Sequence, residues 1–137
     1  MIKTREIVVT AKAPGAIGPY SQAVRVENLL YTSGQIAIDP ESGQLIDGDI
    51  VAQTEQVMKN LGAILEAGGS SMASVIKTVI FLKDMNDFST VNEIYGRYFK
   101  SNYPARSCVA VESLPKGARI EVEAVALIDS GSQPYIY

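Results

Sequence analysis

Pro104-Ala105-Arg106-Ser107-Cys108-Val109-Ala110-Val111-Glu112-Ser113-Leu114-Pro115-Lys116-Gly117-Ala118-Arg119-Ile120-Glu121-Val122-Glu123-Ala124 reads as two strands joined by a turn. Side chains alternate between the faces of a strand, so Arg106 and Cys108 share one face and Ser107 and Val109 the other. In the second run Ile120, Val122, Ala124, Ala126 and Ile128 lie on one face, and Arg119, Glu121 and Glu123 begin the opposite one. An arginine at the head of an apolar strand and a glutamate in the middle of the next both need a reason, because neither residue is buried unpaired without cost. One reading is a site, with an arginine fork for a carboxylate and a glutamate for moving a proton. The other is a solvated strand face or a structural ion pair. Spacing alone leaves both open.

Upstream, Glu6–Thr10 reads as a short first strand, followed by a loop broken by Pro14, Gly15, Gly18 and Pro19 and ending at Tyr20. Ala23–Val26 and Leu29–Ser33 form a hairpin around Glu27-Asn28, and Gln35–Ile38 continues the extended region. Ser33 before Gly34 fits a ligand-binding hydroxyl or backbone, and equally a structural bulge. From Asp49 the period becomes helical. Val51, Thr54, Met58, Leu61 and Leu65 recur at three and four, Asp49 caps the start, Gly68-Gly69 the end, and Gln53, Glu55, Gln56, Lys59 and Asn60 face outward. Ser74–Lys83, rich in β-branched residues, predicts a central strand buried on both faces. A second helix follows with Asp87 as its cap and Phe88, Val91, Ile94/Tyr95 and Tyr98/Phe99 as its apolar stripe. Asn92 sits beside that stripe as a boundary polar residue or a ligand contact.

The order β-β-β-α-β-α-β-β predicts an α+β fold: one mixed sheet of five or six strands with two helices packed on one face. Two helices leave the other face to solvent or to another subunit, and Val109 and Val111 make a partner plausible. The 137 residues suggest one domain, 1–137, with 129–137 as a loose C-terminal tail ending Tyr135-Ile136-Tyr137. The net charge of −3 argues against a nucleic-acid surface. No apolar run reaches the length of a transmembrane helix, and the first residues show no signal-peptide architecture, so a cytoplasmic protein without a membrane partner is expected. With no histidine, neither a Ser-His nor a Cys-His centre can be built, and with one cysteine, Cys108, neither can a disulfide within the chain or a Cys-rich zinc site. A metal site of carboxylates alone is conceivable but has no recognisable loop, so neither metal nor cofactor is expected.

Pro104-Ala105-Arg106-Ser107 through Leu114-Pro115-Lys116-Gly117 and Ile120-Glu121 resembles the signature of the Rid family, the reactive intermediate deaminases formerly called the YjgF family. Gly18-Pro19-Tyr20-Ser21-Gln22-Ala23, Thr32-Ser33-Gly34-Gln35 and Asp87-Phe88 through Asn92 to Tyr95 resemble further blocks of that family, in family order, so the resemblance spans about residues 5–128. It implies a chorismate-mutase-like fold and a homotrimer with sites in the clefts between subunits. It also implies hydrolysis of 2-imino and 2-enamino acids, such as 2-iminobutanoate and 2-iminopropanoate, to 2-oxo acids and ammonia. On that reading Arg106 binds the substrate carboxylate and Glu121 is base and proton donor. Tyr20, Ser33, Gly34 and Asn92 line the pocket, and the backbone of Cys108 meets the imine nitrogen. Two other classes stay open: a non-catalytic carboxylate-binding regulatory module, and a ribonuclease or translation inhibitor. A covalent role for Cys108 lacks a histidine to activate the thiol, so packing or a backbone contact is the simpler reading.

Overall fold

A computed structural model describes residues 4–129. The expected tail, apart from Asp129, lies outside them. The elements run β1 (Glu6–Val8), β2 (Ala23–Val26), β3 (Leu29–Thr32), α1 (Ile50–Ala67), β4 (Val75–Leu82), α2 (Phe88–Gly96), β5 (Ala105–Ala110) and β6 (Ile120–Leu127), with single 3₁₀ turns before β4, α2 and β6. The six strands form one mixed sheet in the order β1-β2-β3-β6-β4-β5, as the α+β reading expected. Only β4 and β5 are parallel, as a strand–helix–strand crossover through α2 requires.

The two strands of the quoted stretch therefore do not pair with each other; β4 lies between them. Their connection is too long and too shaped for a tight hairpin. It contains the turn Pro115–Gly117, with Lys116 and Gly117 both left-handed at φ 57° and 72°. Its ends are tied to opposite sides of the β4 terminus, where Val111 N–H donates to the Leu82 carbonyl at 2.8 Å and Lys83 N–H to the Arg119 carbonyl at 3.0 Å.

Register fixes which side chains share a face. Thr78, Ile80 and Leu82 of β4 stand opposite Arg106, Cys108 and Ala110 of β5 and Ala124, Val122 and Ile120 of β6. Both helices pack on this side, and Val57, Leu61, Ile64 and Leu65 of α1 close over Leu30, Ile80, Leu82, Ile120 and Val122 in a solvent-free core. The other side carries Val79, Phe81, Val109, Val125, Leu127 and Tyr31 together with Glu121 and Glu123. Among the described residues no helix covers it, so β4 is not buried on both faces there: Lys77, Val79 and Phe81 are only half-buried, and Ile76, at the register shift, is exposed.

Two details of the helices depart from the periodicity. Asp49 caps α1 as expected, accepting from Ala52 N–H at 3.0 Å, and Gly68-Gly69 ends it, Gly69 with φ 85°. Val51, however, is exposed, while Gln53 and Asn60, expected on the outer face, are buried. They are buried because irregular backbone needs partners that no strand supplies. Gln53 Oε1 accepts from Arg119 N–H at 2.9 Å, and Asn60 Nδ2 donates to the carbonyls of Ile36 and Ile38 at 3.1 and 2.9 Å. Asp87 does not cap α2. Its own backbone is helical rather than extended, which removes the capping geometry, and its carboxylate accepts two hydrogen bonds from Arg119 Nη2 at 3.1 and 3.3 Å. Among the described residues no helix is long and apolar enough to cross a membrane.

Candidate active site

The site residues expected from the sequence fall into two groups on opposite faces of the sheet. On the uncovered face Tyr20, Ser33, Gly34 and Glu121 line a cavity of about 360 Å³, whose remaining walls are mostly apolar, with Pro14, Ile17, Ile36 and Ile38, and with Lys116 at one side. On the helix-covered face Asn92 and Arg106 line a second cavity of about 420 Å³ with Tyr95, Gly96, Tyr103 and Pro104. Cys108 follows Arg106 on the same strand face.

Glu121 stands near the start of β6, opposite Phe81, and is half-buried. Burial pushes its carboxyl above the ordinary carboxylate range, and the neighbouring charge of Glu123 adds to the rise. Gly34 is what lets the carboxylate occupy this place. A Cβ at that position would overlap the Glu121 carboxyl group, so glycine is required here by proximity. Gly34→Ala is expected to displace the carboxylate and cost on the order of 10²-fold in kcat while leaving far-UV dichroism unchanged. Wild-type kcat in that variant would show that the position of Glu121 does not matter. Ser33 lines the cavity and also serves the chain. Its hydroxyl donates to the Ser21 carbonyl at 2.6 Å and its N–H to the Gln22 carbonyl at 2.9 Å, so both donors serve the chain and the hydroxyl oxygen is left to accept from a ligand.

Arg106 is held on three sides. Nη1 donates to Asn92 Oδ1 at 2.5 Å, and the guanidinium carbon lies 5.4 Å from the Phe88 ring centroid and 5.1 Å from that of Tyr95. The Tyr95 hydroxyl shares a 2.7 Å hydrogen bond with Thr78 Oγ1, which fixes the ring beneath the guanidinium. A planar cation stacked on aromatic faces and bonded at one nitrogen keeps its other donors in a set direction. Phe88, Tyr95 and Thr78 were legible only as core residues. The i, i+4 and i, i+3 spacing of Phe88, Asn92 and Tyr95, which puts them on one helix face, was the signal that linked them.

Burial raises the Cys108 thiol, and the nearby Arg106 charge only partly opposes this. A thiol held protonated is a poor nucleophile. Cys108→Ala is accordingly expected to keep most of the wild-type turnover; inactivity in a folded, assembled variant would point to covalent chemistry at sulfur.

A sheet, a glutamate cavity and an arginine cavity of this kind define a protein class that the comparisons identify. Residues 10–128 match the family described as endoribonuclease L-PSP, and the chain belongs to that family. Its relatives include a human protein named 2-iminobutanoate/2-iminopropanoate deaminase, 58% identical over 90% of each chain. Among solved structures, RidA from an Antarctic Psychrobacter is 45% identical with a TM-score of 0.87, covering 90% of this chain and 99% of the other. TdcF from E. coli, solved with bound serine, is 42% identical with a TM-score of 0.86 and the same two coverages. The Rid resemblance drawn from separate motifs thus extends over every described strand after β1.

Proposed function

We propose that the protein is a hydrolytic deaminase that converts short 2-imino and 2-enamino acids to 2-oxo acids and ammonia. The observation that carries this reading is the pairing of chemistries: a pre-oriented guanidinium for a carboxylate, and a carboxyl group whose pKa is raised toward neutrality. The similar human protein's name supports it, and so does the serine bound by the E. coli relative, a ligand with a carboxylate and an amino nitrogen on one carbon.

Arg106 takes the substrate carboxylate through its free donors, leaving C2 and the imine nitrogen beside the glutamate. Glu121 in its ionised form accepts a proton from water as the oxygen bonds to C2 and the C=N bond becomes single. That proton passes to nitrogen to give a carbinolamine; the hydroxyl proton then moves to nitrogen, the C–N bond breaks, C=O forms, and ammonia leaves. In its protonated form Glu121 can protonate an enamine at carbon to give the imine. An imine is already electrophilic, so positioning and general acid–base help account for the rate.

Because Arg106 and Glu121 face opposite ways in one chain, a complete site needs two chains. We infer a homo-oligomer, a trimer by family resemblance, in which the Glu121 face of one subunit meets the β5 edge of the next and covers the apolar sheet face. A cytoplasmic location belongs to the same proposal, since a lone free cysteine suits a reducing compartment. The endoribonuclease in the family description has less support, because the acidic chain lacks histidine for general acid–base cleavage. The test couples a threonine dehydratase to the protein and follows 2-oxobutanoate while semicarbazide competes for the imine. Faster 2-oxobutanoate formation and less semicarbazone are expected; carboxylate binding without any change in these rates would favour a regulatory module.

A further inference from the structure

We propose that Gln22 and Asn60 are positioning residues that hold the two apolar walls of the Glu121 cavity and thereby set which substrate side chains it admits. The proposal rests on the deaminase reading for its substrate class. Neither residue lines the cavity, yet each is almost wholly buried, at 4% and 1% exposure. Gln22 spends its whole amide on one loop. Its Oε1 accepts from Thr10 N–H at 2.7 Å, while Nε2 donates to the carbonyls of Thr10 at 3.0 Å and Pro14 at 2.8 Å, with Ala13 at 3.4 Å. That loop supplies Pro14, Ile17 and Tyr20 to the cavity. Asn60 does the same for the facing wall. Its Nδ2 holds the carbonyls of Ile36 and Ile38, and its Oδ1 accepts from Gln56 Nε2 at 2.9 Å.

Both walls are irregular backbone. The 36–38 segment belongs to no strand, with isolated bridges at the neighbouring Gln35 to Val122 and at Ile38 to Leu45, and the 9–22 loop forms no strand. Without the two amides the Pro14 and Ile38 carbonyls would lose these donors and the Ile36 carbonyl would keep only the Ile38 N–H, so the segments would shift. The polar part of the cavity, Ser33, Gly34 and Glu121, is the part that can serve reaction chemistry. Its apolar walls can receive only the substrate's hydrocarbon side chain. Wall position therefore governs side-chain choice more than the chemical step.

The variants are Gln22→Glu and Asn60→Asp, near-isosteric but with acceptors where donors stood, and Gln22→Met, which keeps bulk and removes every hydrogen bond. KM and kcat are measured for 2-iminobutanoate and for the imino acid of leucine, both generated in situ. Calorimetry measures 2-oxobutanoate and 4-methyl-2-oxopentanoate binding independently of turnover. The ratio between long and short ligands is expected to change about tenfold in both KM and Kd, the scale of a hydrocarbon pocket's discrimination, with a smaller change in kcat. Variants that melt at lower temperature but keep the wild-type ratio in both measurements would overturn the proposal and leave these amides a purely structural role. Should Gln22→Glu not fold, Gln22→Met and Asn60→Asp decide the matter by the same ratio. A wild type that binds both 2-oxo acids but turns over neither imine would refute the deaminase reading, while the binding ratio still decides this one.

Discussion

Arg106→Lys is expected to lower kcat/KM for 2-iminobutanoate by roughly 10- to 100-fold, the equivalent of losing one hydrogen bond to a charged group. The charge survives but the geometry does not. Lysine has no planar fork to match two carboxylate oxygens, no delocalised face to stack on Phe88 and Tyr95, and no fixed nitrogen to present to Asn92. The loss should fall mainly on KM and on 2-oxobutanoate affinity, because Arg106 is assigned to binding. Near-normal kinetics in the lysine variant would mean that a point charge suffices and that the aromatic cradle has no part in recognition.

Glu121→Gln is expected to cost more in kcat, on the order of 10²–10⁴-fold, the range of general acid–base catalysis. Glutamine keeps the size and most hydrogen bonds but cannot take a proton. Binding of 2-oxobutanoate should survive, since Arg106 holds the carboxylate. The pH profile gives a second reading of the same residue. With its pKa raised by burial and by Glu123, Glu121 becomes protonated at a higher pH than an ordinary glutamate as the solution is acidified. The acid limb of kcat should therefore lie above the usual carboxylate range and vanish in the variant. The stability effect has the opposite sign. A carboxyl whose folded pKa is raised contributes stability that is present below its unfolded pKa and lost as pH rises through the folded value. Glu121→Gln should thus melt no lower than wild type at neutral pH, and its relative stability should fall toward acid. Unchanged kcat would remove Glu121 from the mechanism; lost kcat together with a lower melting temperature would assign the effect to folding.

The fold was legible because long-period signals decide it. The helical stripe Met58–Leu61–Leu65, the β-branched run 75–82 and the alternation Ile120–Val122–Ala124 each matched the element that formed. What escaped were choices made by tertiary partners. Gln53 and Asn60 look like solvent-facing amides to any helical wheel, and only the backbone of Ile36, Ile38 and Arg119 draws them inward. Asp87 has the composition of a cap, but Arg119, distant in sequence, takes its carboxylate. The residues proposed for the site were singled out by motifs, whereas their separation onto two faces was not legible. Arg106 and Glu121 sit on strands that a turn reading joins, and the insertion of β4 between those strands is a property of topology. The aromatic cradle of Arg106 was hidden for a related reason, since Phe88 and Tyr95 satisfy a core pattern equally well.

That two-faced placement makes the shared site the central claim, and subunit mixing tests it most directly. Arg106→Ala and Glu121→Gln subunits, each inactive alone, are co-expressed in equal amounts and the purified mixed oligomer is assayed for 2-iminobutanoate hydrolysis. If each cleft takes its arginine from one chain and its glutamate from the next, about a quarter of the clefts in a random cyclic assembly regain both residues, and activity returns to about that fraction of wild type. If the two residues act within one chain, every site in the mixture lacks one of them, and activity no higher than that of the separate variants would contradict the account.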